Sequence, residues 1–225
     1  MERYKRPLKI YFAGELFDFK HLGGNLLMAE AIEKYSDFRY KVMLPQDGEC
    51  EAGDRSPQSI RNEDFNLLFE CDIILANFDG TDPDSGTVVE FCFAKMVDMP
   101  AVLLRSDFRH CGDQTLPGSD PWNLMCSNYP RTRSCHVNAM ELYHQCRRTA
   151  CSTAERLELF CRLQAETVIA GLDAVTAEKS WLKPELAANQ YKTAVKSIGG
   201  GLEQLLSDDA IAELIRSKTA AGIYR

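Results

Sequence analysis

Four carboxylates and one phenol carry the chemical interest of this chain: Asp64, Asp79, Asp84, Glu90 and Tyr11. Glu90 falls in the first turn of a helix expected over residues 86–98, just behind Asp84-Ser85-Gly86-Thr87. The partial positive charge of a helix N-terminus keeps a carboxylate ionised. An ionised carboxylate facing a pocket can attack a sugar carbon. A structural use competes with that reading. Thr87-Val88-Val89-Glu90 has the spacing of a capping box, in which Glu90 would bond the backbone of Thr87 and do nothing else, and on spacing alone the cap is the commoner use. Asp84 in Pro83-Asp84-Ser85-Gly86 and Asp79 in Asp79-Gly80 both suit turns. Asp64 lies within RNEDFNLLFE, where a charged residue ordinarily belongs to a solvated face. Helical spacing relates it to Ile60, Leu67 and Leu68, so it also fits the border of the core. Tyr11 sits in an apolar strand, where its hydroxyl needs a partner, and a neighbouring carboxylate would serve.

Metal and phosphate chemistry are poorly matched. Asp79 to Glu90 spans twelve positions, the length of a calcium-binding helix-loop-helix loop, but Pro83 is its fifth residue and Asp84 stands where that loop needs glycine. Cys135, His136, His144, Cys146 and Cys151 cluster without a CxxC or HxxxH pair, so zinc is not expected. GELFDFKHLGGN is not a GxGxxG motif, and neither GxxxxGK[ST] nor Gly-x-Ser-x-Gly occurs. No metal and no cofactor is expected.

The elements that must position these residues alternate. Apolar runs at 8–13, 40–45, 72–78 and 100–105 read as buried strands. Helices are expected at 25–36 with an Asn25 cap, at 57–70 with Ser56 as cap and Pro57 in the first turn, and at 86–98; residues 46–56 read as a loop. Strand and helix in alternation imply a parallel sheet covered by helices. Continuous rather than alternating apolar strands agree with burial on both faces. In such sheets ligands sit beyond the carboxyl ends of the strands, the edge where the loops after Ala13, Leu44, Phe78 and Arg105 lie. Residues 106–134 read as irregular, and 135–150, 153–172 and 185–217 as helical, with a break at the three glycines 199–201. The expected organisation is an α/β domain over 1–134 and a helical C-terminal extension over 135–225, packed on that domain or at a subunit interface.

With 225 residues, 45% of them hydrophobic and 26% charged, the chain has ordinary globular composition. Its formal charge of −7 and scattered Lys and Arg argue against a nucleic-acid polymer as partner. No membrane span is expected. The basic start reads as a lead-in to a strand rather than a signal peptide. Nine cysteines without framework spacing read as reduced cytoplasmic thiols.

Taken together, four segments resemble the nucleoside 2-deoxyribosyltransferases. They are Ile10-Tyr11-Phe12-Ala13-Gly14, Asp64 on the second helix, Asp84-Ser85-Gly86-Thr87-Val88-Val89-Glu90, and Pro121-Trp122-Asn123-Leu124-Met125. The resemblance covers roughly residues 8–130. It implies a flavodoxin-like fold and transfer of 2-deoxyribose between purine or pyrimidine bases. Glu90 matches the nucleophile that forms a covalent 2-deoxyribosyl-enzyme, Tyr11 the tyrosine that orients it, and Asp64 and Asp84 the acids that hold the base and protonate its leaving nitrogen. Asn123 matches a residue that a neighbouring subunit lends to the sugar hydroxyls, which implies a homo-oligomer. Met125 and Gly86 lie in the same matched motifs, on the substrate side. Leu16, Phe17 and Gln46 fall where the family lines its base pocket. Some members place a C-terminal tyrosine in the site, which makes Tyr224 a candidate. The implied ligands are a deoxynucleoside and a free nucleobase.

The chemistry agrees with those roles. An oxocarbenium-like transition state is stabilised and captured by a carboxylate on one face, while a separate acid protonates the departing base. Two displacements at one carbon imply retention and ping-pong kinetics. Two rivals stand beside this reading. One is a hydrolase of nucleoside 5′-monophosphates on the same fold, disfavoured by the acidic Glu15-Leu16-Phe17-Asp18 after the first strand. The other is a nucleoside-sensing module without a nucleophile.

Overall fold

The fold is described from a computed structural model, for residues 6–48, 56–109, 112–114 and 116–225. Residues 49–55 of the loop expected at 46–56, with Cys50, and likewise Cys111, lie outside the described residues.

The continuous apolar runs form the strands β1 (Leu8–Ala13), β2 (Tyr40–Met43), β3 (Ile73–Asn77) and β4 (Ala101–Arg105). A fifth, β5 (Thr132–His136), completes an all-parallel sheet in the order β2-β1-β3-β4-β5. This is the flavodoxin-like order, whose switch point lies between β1 and β3. Every residue of β4 is buried, and β3 is buried up to Asn77 at its carboxyl end.

β5 is where the sequence reading and the structure part. Its residues, Thr-Arg-Ser-Cys-His, are polar because β5 is an edge strand with one sheet neighbour and only Cys135 turned inward. The expected helix from 135 therefore starts later, as α4 (Ala139–Thr149), and the expected boundary at 134 falls inside β5.

The helices α1 (Phe19–Tyr35) and α5 (Thr153–Ala177) pack together on one side of the sheet, α5 against β4 and β5. Reversal of winding direction at the switch point puts α2 (Pro57–Glu70) and α3 (Ser85–Met96) on the other side, where both touch β1. Three further helices, α6 (Pro184–Ile198), the single turn α7 (Leu202–Leu205) and α8 (Asp208–Ala220), build outward from there: α6 packs on α3 and α8, and α7 on α2. The region beyond 134 thus supplies the end of the edge strand and the covering helix α5, besides an outer layer.

Caps decide the helix starts. α1 begins at Phe19, six residues before the expected start, because Asp18 accepts from the amides of Lys20 and His21. Asn25, expected as the cap, is inside the helix, buried, and donates to the Glu15 carbonyl. Ser56 caps α2 as expected, accepting from Ser59 N at 3.2 Å, with Pro57 in the first turn.

Candidate active site

Tyr11 is fully buried, one strand position beyond the middle of β1. Its side chain projects toward α3, where Tyr11 Oη donates to Glu90 Oε1 at 2.5 Å. This is the carboxylate partner that a phenol in an apolar strand requires.

Glu90 is free for that bond because the cap of α3 is elsewhere. Asp84 occupies the N-cap position, and its Oδ2 accepts from Thr87 N at 2.9 Å and Thr87 Oγ1 at 3.1 Å. The capping box expected from Thr87 to Glu90 does not form: Thr87 lies inside the helix, so Glu90 is a turn further in than a box would require. Gly86 leaves space for the cap, since a Cβ there would stand 3.0 Å from Asp84 Oδ2.

Glu90, Asp64 and Gly86 line one cleft of 590 Å³ between α2 and α3, together with Ser85 and Arg61. Its apolar wall is made by Pro57, Ile60, Phe65 and Val89. Phe65 stands edge-on to Phe93, with ring centroids 5.2 Å apart, which fixes the two helices against each other beneath the cleft.

Burial sets the electrostatics. It raises the Glu90 carboxyl to about 7; the Tyr11 hydrogen bond opposes this, while the Asp64 and Asp84 carboxylates reinforce it. Burial likewise raises Asp64 to about 6, with Glu63 adding to it. Tyr11 is pushed well above its ordinary value by burial and by Glu90, so it remains a hydrogen-bond donor. The cleft therefore holds two carboxyl groups that titrate near neutrality, one of them steered by a permanently protonated phenol. Such a pair can supply an attacking carboxylate and a proton donor at the same pH.

The remaining candidates lie elsewhere. Leu16 is half-buried and Phe17 is exposed on the loop after β1, and Gln46 sits in a 3-10 turn, Pro45–Asp47, after β2, donating to the Leu22 carbonyl at 3.1 Å. None of the three is among the described residues lining the cleft. Asn123 caps a second 3-10 turn, Leu124–Cys126, accepting from Met125 N at 3.0 Å. Its neighbour Trp122 is buried edge-on to Phe78 and donates to Ser127 Oγ, which pins the loop and leaves Asn123, Leu124 and Met125 exposed. Within one chain Asn123 and Met125 do not line the Glu90 cleft.

Tyr224 lies away from the cleft in the single chain. Its ring is buried against Tyr191, and its hydroxyl donates to the carbonyl of Val97, the C-cap of α3, at 2.7 Å. It anchors the end of the chain at the opposite end of α3 from the cleft.

Asp79 also has a structural task. Its carboxylate accepts from Ser106 N, Ser106 Oγ and Asp107 N at 2.6–2.8 Å, tying the loop after β3 to the loop after β4. Glu15 pairs with His21 at 2.8 Å and lines a separate cleft of 630 Å³ at the same sheet edge. Arg61 is a cleft residue that sequence reasoning missed. The signal was its position three residues before Asp64 on one helix, which puts both on neighbouring faces.

Among the described residues no group of three or more metal-ligating side chains occurs, and no helix is long and apolar enough to cross a membrane. The family model described as nucleoside 2-deoxyribosyltransferase matches residues 10–130, more than half of the chain. No curated protein matches. Similar solved structures include a conserved protein from Enterococcus faecalis V583, 22% identical, covering 68% of this chain and 97% of its own, with a TM-score of 0.47. A 2-deoxyribosyltransferase from Leishmania mexicana is 24% identical, covers 54% and 87%, and has a TM-score of 0.43. One from Bacillus psychrosaccharolyticus is 18% identical, covers 46% and 77%, and has a TM-score of 0.40.

Proposed function

The chain belongs to the nucleoside 2-deoxyribosyltransferase family, and on that premise we propose that it moves 2-deoxyribose from one nucleobase to another through a covalent ester on Glu90. One observation carries the reading: a buried tyrosine donates to Glu90 at 2.5 Å in a cleft that also holds Asp64.

Tyr11 engages Oε1 of Glu90, which orients the carboxylate and leaves Oε2 to attack C1′ of the sugar. As the C1′–N bond breaks, positive charge develops on the sugar ring and negative charge on the base. The Glu90 carboxylate stabilises the first and bonds to C1′. A proton on Asp64 neutralises the second by passing to the leaving nitrogen. Asp64 suits this task better than Asp84, because its raised affinity for a proton keeps it an acid near pH 6 and Asp84 Oδ2 is engaged at the helix cap. A second base then attacks C1′ from the face the first one left, displacing Glu90 and returning its proton to Asp64. Configuration is retained. With water as acceptor the same ester hydrolyses.

Asn123 and Met125 complete the site from a second copy of the chain. Their exposure on a loop fixed by buried Trp122 supports that part of the reading. Incubation with a deoxynucleoside and a different free base should give the exchanged nucleoside. Mass spectrometry with the donor alone should give a deoxyribosyl adduct on Glu90. Failure of both, with wild type and Glu90→Ala equally inert, would sink the proposal.

A further inference from the structure

α2 is gripped from outside by a loop of the C-terminal region. Gln58 Nε2 and Asn62 Nδ2 both donate to the Gly200 carbonyl at 2.7 Å, and Arg61 Nη2 donates to the Gly199 carbonyl at 3.1 Å. Arg61 also donates to Asn62 Oδ1, at 2.8 Å from Nη2. Positions 58, 61 and 62 recur at helical spacing and so share a face. The loop needs its glycines twice over. Gly199, Gly200 and Gly201 have φ of 61°, 64° and 88°, a run of left-handed conformations costly to any other residue. A Cβ on Gly200 would also press on the Arg61 guanidinium, which would have to shift.

Asp64 makes no hydrogen bond among the described residues, so its carboxyl is placed only by the helix that carries it. Arg61, the residue the loop holds, lines the same cleft one turn before it. The loop itself lies outside the segment 10–130 that the family model matches.

We infer that the Gly199–Gly201 loop is a positioning element for Asp64: by holding α2 through Gln58, Arg61 and Asn62 it sets where the acid stands relative to Glu90. The inference rests on the deoxyribosyl-transfer reading. In the step concerned, the C1′–N bond breaks, a C1′–O bond to Glu90 forms, and the Asp64 proton passes to the leaving nitrogen. A displaced acid slows that step only when the leaving group needs its proton.

The test compares two donors in wild type, Gln58→Ala, Asn62→Ala and Gly200→Ala. One donor is a natural deoxynucleoside. The other is a nitrophenyl 2-deoxy-β-riboside, whose nitrophenolate leaves without protonation. The expected result is a kcat lowered roughly 10- to 100-fold on the deoxynucleoside, with kcat on the aryl donor and both KM values close to wild type. Gln58 is exposed, so Gln58→Ala keeps a folded variant in the set. An equal loss on both donors, or no loss in any folded variant, overturns the inference. A wild-type enzyme inert toward both donors removes the transfer reading itself, and the inference with it.

Discussion

At the scale of single residues, the proposed transfer turns on the pair Tyr11–Glu90. Burial holds the Glu90 carboxyl at about 7 and the Asp64 carboxyl at about 6, and the Asp64 carboxylate adds to the Glu90 shift. In the proposed mechanism attack requires ionised Glu90 and departure requires protonated Asp64, so the competent form carries one proton on the two groups. The expected kcat/KM profile is a bell with limbs near pH 6 and 7, measured by exchange rate across pH. Tyr11→Phe removes the hydrogen bond that lowers the Glu90 pKa. The upper limb should move to higher pH and the rate should fall by about 10²-fold through loss of orientation. Stability follows the same group. The folded Glu90 binds its proton more tightly than the ordinary carboxyl at 4.5, so native protein holds more protons than unfolded between about 4.5 and 7. Its contribution to stability therefore falls as pH rises through that window and stays low above it. Glu90→Gln should abolish transfer yet raise Tm at pH 8, and leave Tm nearly unchanged at pH 4, where both states are protonated. The sequence identified the residue types but not this balance. Thr87-Val-Val-Glu90 satisfied a capping rule on paper, and only the placement of Asp84 one residue ahead of α3 released Glu90 from it.

Among the elements, legibility tracked burial. β1, β3 and β4 were readable because strands covered on both faces are apolar throughout, whereas β5 is polar on an edge and its residues fell across the irregular stretch to 134 and the helix expected from 135. α1 was read six residues late because its first turns, Phe-Lys-His-Leu-Gly-Gly, lack apolar periodicity and depend on the Asp18 cap. The contact between α5 and the sheet is similarly hidden. Gly171 lets α5 approach so closely that a Cβ would stand 2.7 Å from Cys135 Sγ and 3.4 Å from Val102. Gly171→Ala should cost about 1–3 kcal/mol through overpacking, read from the midpoint of denaturant unfolding. Transfer activity per folded molecule should be retained, because α5 lies on the side of the sheet away from the Glu90 cleft.

For the whole molecule, the C-terminal tail is clamped rather than delivered to the site. Arg131 and Asp98 form a buried pair at 3.0 Å, and Arg131 also donates to the Ile223 carbonyl, next to the Tyr224–Val97 hydrogen bond. Tyr224→Phe should lower stability by about 1 kcal/mol and leave kcat unchanged, measured by unfolding and exchange assays side by side; a fall in kcat would place Tyr224 in the chemistry after all. The position of Tyr224 was not legible because nearness to the end of a sequence says nothing about where the fold puts a side chain. Assembly is testable separately. If Asn123 serves the neighbouring site, inactive Glu90→Ala and Asn123→Ala proteins unfolded and refolded together should regain part of the wild-type rate, since mixed oligomers contain sites with both residues intact. Proteins refolded apart should stay inert.

The make-up of the cleft bears on how the proposed transfer could be re-engineered. Glu90 and Asp64 are half-buried, whereas Ile60 and Val89 form part of the apolar wall and are 47% and 46% exposed in the single chain. Side chains that bury so little can be exchanged at small cost to folding. On the proposed function, a combinatorial library confined to these two positions would therefore vary the shape offered to incoming bases while leaving Glu90 and Asp64 untouched, a starting point for making unnatural nucleosides.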